Sequence, residues 1–361
     1  MNLLFDARYT RTDYHDGISR YSAELGNALL NLPQAKSGEL TVQFLICNYQ
    51  QKQWFPKNAN FIKIHVPTSA KEPFTALILN KHKPDVVYSP MQTIGTLGRK
   101  YKSVLTLHDM IYYRHNTPPK FLPAPVRAGW WLYHQSYWPQ RLVLKGADLI
   151  TTVSETSAKD IQNARMTQHA PVVVYNAPQQ FKTTPVLASG DIQNIVYMGS
   201  FMPYKNVEIL IKGMEWLPGR TLHLLSRINA TRRQELQALI PEGANVTFHN
   251  GVSDEEYEKL LANNALLATA SLDEGYGIPV AEAMAMGVPV VASNIPIFYE
   301  VGGDSVSYFE ARSPKAFAEA VKKLDDKRLR DAQIARGSAH IATFNWNTSA
   351  QVLYDALKTL L

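Results

Sequence analysis

The sequence is poor in cysteine: Cys47 is the single thiol among 361 residues. One thiol excludes an internal disulfide framework, a zinc cluster built on several cysteines and a paired redox site. Cys47 ends an apolar run over residues 42–47, and this position predicts that the thiol lies in a hydrophobic core.

Long apolar runs are also missing. No run approaches the about 20 residues that a membrane-spanning helix requires. The first ten residues carry Asp6 and Arg8, which do not fit the apolar core of a secretory leader. We therefore expect a cytoplasmic protein, either free or peripheral on the inner face of the membrane.

The chain contains no Asp-x-Asp sequence and no histidine, cysteine and aspartate grouping at metal-ligand spacing. We therefore expect neither a metal ion nor another cofactor. The net charge of +6 would suit nucleic acid, anionic lipid or a phosphorylated ligand, because each concentrates negative charge. No helix-turn-helix, zinc-finger or RNA-binding signature accompanies that charge, so nucleic acid is a minor alternative that we do not expect.

The sequence does contain a regular alternation of short β-rich runs and amphipathic stretches, which is typical of parallel sheets covered by crossover helices. Two such sets predict a first domain over residues 1–180 and a second over residues 190–345. Residues 178–191, rich in Pro, Ser, Thr and Gly, fit a linker. The predicted strands are residues 3–5, 42–47, 85–88, 103–107, 149–153, 172–175, 195–198, 222–225, 246–249, 266–269 and 288–292.

The strongest functional signal is the stretch 271–282, which reads Ser-Leu-Asp-Glu-Gly-Tyr-Gly-Ile-Pro-Val-Ala-Glu. Here a strand ends, a glycine loop turns, and Pro279 opens a helix, since proline suits the first helical position. The amides of Gly277 and Ile278 would then lie at a helix N-terminus, where unpaired donors and the dipole favour a phosphate. The pattern predicts a site for a diphosphate.

Two carboxylates flank this turn. Glu274 precedes it and Glu282 follows it within the first turn of the helix, so the pair would contact a ligand from both ends. Carboxylates accept paired hydroxyl hydrogen bonds, which suits a sugar ring and a ribose. The alternative makes Glu282 a charge that complements the helix dipole and Glu274 a solvated loop residue.

In this context the sequence resembles glycosyltransferase family 4, whose members carry two glutamates separated by seven residues across a strand, a loop and a helix. The likeness extends through residues 250–256 and 287–293 and covers the second domain almost end to end. It implies that Glu274 contacts the donor sugar and Glu282 the ribose hydroxyls. Further donor residues assigned within these stretches are Val252, Gly275 and Tyr276.

The segment 197–206, Tyr-Met-Gly-Ser-Phe-Met-Pro-Tyr-Lys-Asn, is similar to the family's glycine, arginine and lysine segment, whose cations neutralise the departing diphosphate. Lys205 matches the lysine, and its point charge would stabilise a phosphate leaving group. Ser200 stands where many members have arginine, so Arg227 or Arg8 is a candidate for the missing charge. The alternative makes Lys205 an exposed lysine that precedes a helix.

The sequence Thr-Leu-His-Asp-Met at residues 106–110 ends a predicted strand and resembles the family's active-site histidine motif. The resemblance implies that His108 hydrogen-bonds the donor hexose or its leaving side. Asp109 would hold the imidazole tautomer or reach the acceptor. The alternative is a structural histidine at the end of a strand.

The first loop carries Asp-Gly-Ile-Ser-Arg-Tyr at residues 16–21 and is similar to the loop with which the family approaches the diphosphate and the acceptor. Gly17 would permit that approach because it has no side chain and a free choice of φ. A plain junction between loop and helix is the alternative. Ser154 and Asn176, each just after a predicted strand, match positions where the family has polar residues facing the cleft.

Residues 127–141, Arg-Ala-Gly-Trp-Trp-Leu-Tyr-His-Gln-Ser-Tyr-Trp-Pro-Gln-Arg, are dense in aromatics and flanked by basic side chains. A helix of this composition suits a membrane interface and hence a lipid-linked acceptor. The candidate membrane contact runs from Trp130 to Arg141. The alternative is a helix packed on its own domain, which Pro139 would kink or end.

The resemblance implies an α/β protein of the GT-B fold, with two Rossmann-like domains facing across a cleft. The donor lies mainly on the second domain and the acceptor on the first, and a helix over residues 346–361 returns to the first. It also implies a retaining, metal-independent transfer that gives an α-linked product. We expect same-face attack, in which a donor phosphate oxygen takes the acceptor proton.

The expected donor is GDP-mannose, and the expected acceptor is a glycan or a lipid-linked glycan of polysaccharide or glycolipid biosynthesis. UDP-glucose, UDP-N-acetylglucosamine and a dTDP-linked deoxysugar such as dTDP-rhamnose are alternative donors. A phosphorylase or an epimerase of the same fold is a further alternative. A non-catalytic nucleotide-sugar-binding protein is the alternative from a different class.

Overall fold

The computed structural model describes residues 1–13, 16–118, 122–179, 181 and 192–361. The chain divides into two compact units, one formed by Met1–Asn176 with Asn345–Leu361 and the other by Ala177–Phe344. Most of the predicted linker, residues 180 and 182–191, lies outside the described residues.

The first unit contains one parallel sheet whose described strands follow the order β3-β2-β1-β4-β5-β6-β7. Its central strands are buried on both faces, which explains why they read as nearly continuous apolar runs. The strands are β1 (Asn2–Asp6), β2 (Thr41–Ile46), β3 (Asn60–Lys63), β4 (Val86–Ser89), β5 (Lys102–Thr106), β6 (Leu149–Thr152) and β7 (Val172–Val173). The helices of the first 176 residues are α1 (Gly17–Asn31), α2 (Pro33–Lys36), α3 (Thr75–Leu79), α4 (Ile111–Arg114), α5 (Ala124–Tyr133), α6 (Trp138–Leu144) and α7 (Glu155–Asn163).

The second unit contains another parallel sheet, in the order β10-β9-β8-β11-β12-β13. Its strands are β8 (Asn194–Tyr197), β9 (Thr221–Leu224), β10 (Asn245–Phe248), β11 (Ala265–Thr269), β12 (Val290–Ser293) and β13 (Ser307–Phe309). Its helices are α8 (Val207–Gly213), α9 (Ala230–Gln237), α10 (Asp254–Ala262), α11 (Ile278–Ala285), α12 (Pro296–Gly302), α13 (Pro314–Lys323) and α14 (Lys327–Ile341). Short 3-10 turns lie at Tyr49–Trp54, Glu72–Phe74, Asn80–His82, Pro203–Lys205 and Met214–Trp216.

The last helix, α15 (Trp346–Lys358), belongs to the first unit. It packs on α1, where the ring of Trp346 lies 5.8 Å from that of Tyr21. The Ser349 hydroxyl donates to the Tyr175 carbonyl at 2.8 Å. Leu353 and Leu357 are fully buried, so the amphipathic pattern of this segment covers an apolar surface of the first unit.

The predicted α/β class is confirmed, while two edge strands were not predicted. β3 has half-exposed and exposed residues throughout, and β13 has only three residues. Neither produces the continuous apolar run that marks a buried parallel strand. Both are set by pairing with a neighbour, β3 with β2 and β13 with β12.

The order of the strands reverses at one point in each sheet, between β1 and β4 in the first and between β8 and β11 in the second. Ligands of open parallel sheets bind beyond the carboxyl ends of the strands at such a switch point. The predicted motifs around Lys205 and Glu274 follow β8 and β11, the two strands at the switch point of the second sheet.

Candidate active site

The turn between β8 and α8 is tied to the neighbouring strand ends. Asn206 has a left-handed backbone, with φ of 55°, and its side-chain amide donates to the carbonyls of Ala270 at 3.0 Å and Ala311 at 2.7 Å. The Leu272 amide donates to the Tyr204 carbonyl at 2.8 Å. Sequence reasoning missed Asn206, although asparagine tolerates the left-handed region better than most residues do.

This turn places Lys205 against Glu274. The Lys205 ammonium forms an ion pair and hydrogen bond with Oε1 of Glu274, and both side chains are largely buried. The Ser271 hydroxyl donates to the same carboxylate oxygen at 2.9 Å. A cation and a carboxylate from two predicted motifs thus meet at the switch point of the second sheet. Lys205 is therefore not the exposed lysine, and Glu274 not the solvated glutamate, that the alternatives described.

The side chain of Tyr197, at the end of β8, is hydrogen-bonded to the same turn. Its hydroxyl donates to the Ser200 carbonyl at 2.7 Å, and burial together with the nearby charge of Glu274 raises the pKa of the phenol. A Cβ atom on Gly199 would lie 2.8 Å from the Tyr197 oxygen, so a side chain there would disturb the bond. The side chain of Ser200 itself is exposed and brings no charge to the turn.

The glycine loop before α11 leads into a helix N-terminus, as the sequence predicted, with the start of the helix shifted by one residue. Gly277 has φ of 92°, and a Cβ atom there would lie 2.8 Å from the ring of Phe298, so both conformation and space require glycine. The helix begins at Ile278, one residue before the predicted Pro279, which lies in its first turn. Gly275 and Tyr276 are buried in this loop.

Glu282 lies deeper in the helix than the sequence predicted. With the helix starting at Ile278, Glu282 is beyond the first turn, and it is 4% exposed. The prediction of a first-turn position was wrong. The alternative role as a charge that complements the dipole weakens for the same reason, because that effect is confined to the end of the helix.

The loops after β9 and β10 lie side by side. The Gly251 amide donates to the Leu225 carbonyl at 2.8 Å, and the Asn250 side chain accepts from the Ile228 amide at 3.0 Å. Gly251 has φ of 104°, and a Cβ atom there would lie 2.9 Å from Cγ of Arg227. Arg227 is exposed, and its side chain lies against Gly251 in the loop that also carries Val252.

In the first unit, His108 and Asp109 follow β5 as predicted. Nε2 of His108 contacts the Pro90 carbonyl at 2.7 Å, and since a carbonyl can only accept, Nε2 carries the proton. Burial lowers the pKa of this imidazole. The Asp109 carboxylate accepts from the Ile111 amide at 2.9 Å. A backbone carbonyl at Nε2, rather than the predicted Asp109, therefore fixes the imidazole tautomer, which leaves Nδ1 as an acceptor in the neutral ring.

Arg8 does not supply the missing donor cation. Its side chain is fully buried, and its guanidinium pairs with Asp6 at 2.8 Å and with Glu72 at 2.7 Å. Burial lowers the pKa of Arg8, but these two carboxylates together raise it by more and offset its charge. Withdrawing it from the pair would leave buried carboxylates without their partner. The candidate role of Arg8 as a substitute cation was wrong.

Three further predicted residues of the first unit, Gly17, Ser154 and Asn176, lie at the ends of helices or of the unit. Gly17 opens α1 in helical conformation after Asp16, whose carboxylate caps the helix by accepting from the Ser19 amide. Ser154 is buried and caps α7 by accepting from the Ser157 amide at 3.0 Å. This capping role was not predicted from the sequence, and the assignment of Ser154 to the cleft stays a prediction. Asn176, at the end of the first unit, is also buried.

An open pocket of about 830 Å³ lies at the carboxyl ends of β1, β2 and β3. Its polar lining includes Arg11, which pairs with Asp16, and Lys63, whose ammonium lies 4.3 Å from the ring centre of Tyr49. Cys47 lines this pocket and is partly exposed, so its prediction as a core residue was wrong. Burial raises the pKa of the thiol.

Within the described residues, no three histidine, cysteine, aspartate or glutamate side chains are grouped as metal ligands. In the same part of the chain, no helix has both the length and the apolar character needed to cross a bilayer.

Two family models match the chain. Residues 182–340 match the model described as glycosyl transferases group 1, and residues 56–177 match glycosyltransferase family 4. The O-antigen chain mannosyltransferase B of Escherichia coli is 28% identical over 292 residues, which span 73% of this chain and 71% of that protein. The O-antigen chain mannosyltransferase RfbU of Salmonella typhimurium is 31% identical over 159 residues, 43% of this chain and 44% of that protein.

The fold also matches solved structures. The Anabaena protein Alr3699/HepE in complex with UDP and glucose superposes with a TM-score of 0.71 at 18% identity, covering 99% of this chain and 100% of that one. At this level of identity the likeness concerns the fold.

Proposed function

Because the chain belongs to the group 1 glycosyltransferases of family 4, with the GT-B fold, we propose that it transfers a hexose from a nucleotide sugar to a glycan or lipid-linked acceptor. The observation that carries this proposal is the Lys205–Glu274 pair at the switch point of the second sheet, beside the glycine loop that opens α11. A cation, a carboxylate and free helix amides are the groups that a sugar diphosphate needs.

The donor contacts follow from the chemistry of each group. Lys205 and the amides of Gly277 and Ile278 bind the diphosphate, whose negative charge increases as the sugar departs. Glu274 accepts hydroxyl hydrogen bonds from the hexose, and Glu282 from the ribose. In the free protein Lys205 and Glu274 offset each other's charge. A bound diphosphate would compete for the lysine and release the carboxylate for the sugar.

The transfer proceeds with retention by same-face attack and needs no metal ion. The acceptor hydroxyl attacks the anomeric carbon as the bond to the diphosphate breaks, and a phosphate oxygen of that leaving group takes the proton. His108 is neutral because burial lowers its pKa, and its Nε2 proton is held by Pro90. Nδ1 is therefore the atom that accepts a sugar hydroxyl, and His108 orients the hexose without adding charge.

GDP-mannose is the favoured donor. Support comes from the two O-antigen mannosyltransferases, which share 28% and 31% identity with this chain over the matched regions. UDP-glucose is the leading alternative, since a protein of the same fold was solved with UDP and glucose. UDP-N-acetylglucosamine and dTDP-rhamnose complete the set that an experiment should compare.

The acceptor belongs to the first unit, where the pocket beyond β1, β2 and β3 offers polar groups for a glycan. Arg11 and Asp16 pair with each other there, so the charges of the pocket are partly balanced, which favours a neutral sugar over a phosphorylated one. A lipid-linked acceptor would place the enzyme on the inner face of the membrane, in contact from Trp130 to Arg141, and otherwise in the cytoplasm.

A donor screen tests the proposal. The purified protein is heated with each of the four nucleotide sugars, with and without EDTA, and release of nucleoside diphosphate is followed in parallel. We expect one donor to raise the melting temperature and to be hydrolysed slowly, with no effect of EDTA. Stabilisation without any turnover on glycan acceptors would favour the nucleotide-sugar-binding protein, and loss of activity in EDTA would contradict the metal-independent mechanism.

A further inference from the structure

Residues 124–145, which comprise α5, α6 and their connection, expose several large apolar side chains to solvent. This surface is named here the aromatic surface. None of the residues of α5 is buried. Trp131 is 48% exposed, Leu132 68% and Trp138 64%. Contiguous exposed apolar patches of this kind mark sites of interaction with a protein or a membrane.

The inward side of this surface is already occupied by its own aromatic cluster. The ring of Trp130 lies 4.0 Å from that of His134 and 5.2 Å from that of Tyr112. The Tyr133 hydroxyl donates to the Gln140 side chain at 2.8 Å. The Tyr112 contact joins α5 to α4 and the Tyr133 bond joins it to α6, while Trp131, Leu132 and Trp138 are exposed. The inward side of α5 is thus packed on its own domain, as the alternative has it, and its outward side is open to solvent.

Within this stretch of the sequence the charged side chains are of one sign, although Arg114 pairs with Asp160 of α7. From residue 110 to residue 147 the sequence contains no aspartate or glutamate and five lysines or arginines. Arg127 and Lys145 are exposed at the two ends of the aromatic surface. Exposed tryptophan and leucine with cations alongside complement the headgroups and upper acyl region of an anionic bilayer. A protein partner would have to match the apolar patch and this one-signed charge together.

We propose that the aromatic surface docks on a bilayer that contains anionic phospholipid. Trp131, Leu132 and Trp138 enter the boundary between headgroups and acyl chains, and Arg127 and Lys145 contact lipid phosphates. The inference rests on the proposed function only for its purpose, the capture of a lipid-linked acceptor. The binding itself depends on the surface alone.

Vesicle flotation of the full chain tests this proposal. We expect the protein to float with vesicles of phosphatidylcholine and one third phosphatidylglycerol at low salt, and roughly tenfold less with phosphatidylcholine alone. The variant Trp131→Ser/Leu132→Ser/Trp138→Ser should lose flotation by a similar factor. Its control, Phe74→Ser/Leu77→Ser/Leu97→Ser, removes equally exposed apolar side chains of the same unit and should float like the wild type.

A charge test separates attraction from insertion. Arg127→Glu/Lys145→Glu should lose the preference for phosphatidylglycerol, whereas Lys57→Glu/Lys81→Glu, which changes two exposed lysines elsewhere in the unit, should keep it. Equal flotation of either test variant and its control, or no flotation on anionic vesicles, would overturn the proposal and leave a protein as the partner of this surface.

Donor hydrolysis without vesicles distinguishes the two proposals. All variants that fold should release nucleoside diphosphate at the wild-type rate, because the aromatic surface is not part of the donor site. Flotation with no hydrolysis of any donor would sink the proposed transferase activity and leave the membrane surface standing. A melting temperature within a few degrees of the wild type serves as the check on folding.

Discussion

At the scale of single residues, the candidate groups of each unit are held in place by the protein itself, before any ligand binds. Lys205 and Glu274 are largely buried and bonded to each other, and Ser271 donates to the same carboxylate. His108 has a fixed tautomer and a lowered pKa. Groups that are already oriented lose little freedom on binding, which is how fixed charges stabilise a leaving group.

Replacing Lys205 should lower turnover, and it should also cost some stability because the largely buried Glu274 loses its partner. Loss of one charge that stabilises the leaving group costs a factor of about 10² to 10³ in kcat. We expect Lys205→Ala to show this loss in a coupled assay for nucleoside diphosphate release. Lys212→Ala, which removes an exposed lysine of α8, should retain wild-type activity. Equal rates for the two variants would remove Lys205 from the site.

The pH dependence of stability should carry a contribution from His108. Burial lowers the pKa of this imidazole below its usual 6.5, so below that pH the unfolded state takes up a proton that the folded state resists. Stability from this group is therefore present above pH 6.5 and is lost as the pH falls through the lower folded pKa. Urea titrations at pH 7.5 and 5.5 should show a smaller loss for His108→Gln than for the wild type. His82→Gln, a change at an exposed histidine, should follow the wild type.

At the scale of elements, the loops that follow β8 and β11 are shaped by two residues with left-handed backbones. Asn206 ends the Pro203–Lys205 turn, and Gly277 precedes α11. Asn206 also joins its turn to the carbonyls of Ala270 and Ala311. The position of each loop is thus set by backbone conformation and by contacts to neighbouring strand ends, and the site depends on both loops.

Gly277→Ala should destabilise the second unit for two separable reasons. The positive φ costs about 1–2 kcal/mol for a residue with a Cβ atom. Contact of that atom with the Phe298 ring adds about 1–3 kcal/mol of overpacking. Gly243→Ala isolates the first cost, since Gly243 has φ of 74° and open space around a Cβ atom. Denaturant unfolding should rank wild type, Gly243→Ala and Gly277→Ala in falling stability, and equal losses for the two variants would contradict the Phe298 contact.

At the scale of the whole molecule, the chain returns to its first unit at the end. Asn345–Leu361 belong to the unit formed by Met1–Asn176, and α15 packs on α1. A unit assembled from both ends of the chain acquires its full core only when the last helix has docked. The second unit is continuous from Ala177 to Phe344 and has its own sheet and apolar core.

Leu353→Ala should therefore destabilise the first unit selectively. Leu353 is fully buried in α15, and truncation of a buried leucine costs about 2–5 kcal/mol. Hydrogen exchange read by mass spectrometry should show faster exchange in α1, α15 and the first sheet, with the second sheet unchanged. The neighbouring change Val352→Ala, at a side chain that is 36% exposed, should have little effect. Equal acceleration in both units would show that α15 supports them together.

The sequence by itself determined the features that depend on local pattern. Continuous apolar runs predicted β1, β4 and β11, because a strand that is buried on both faces has apolar residues at successive positions. The GT-B class followed from the family resemblance, because the glycine-loop motif consists of residues that are neighbours in the sequence. The serine before α7 was also readable as a cap, yet Ser154 was assigned to the cleft.

Only the tertiary structure decided which distant groups meet. The carbonyls that Asn206 binds are 64 and 105 residues away, and Glu72, which takes up part of the charge of Arg8, is 64 residues away. Pro139 was expected to kink or end a helix and instead lies in the first turn of α6, where no intrahelical partner for its nitrogen is needed. Hydrophobic periodicity is a property of one segment, whereas ion pairing, edge position and tautomer depend on which strands become neighbours in the sheet.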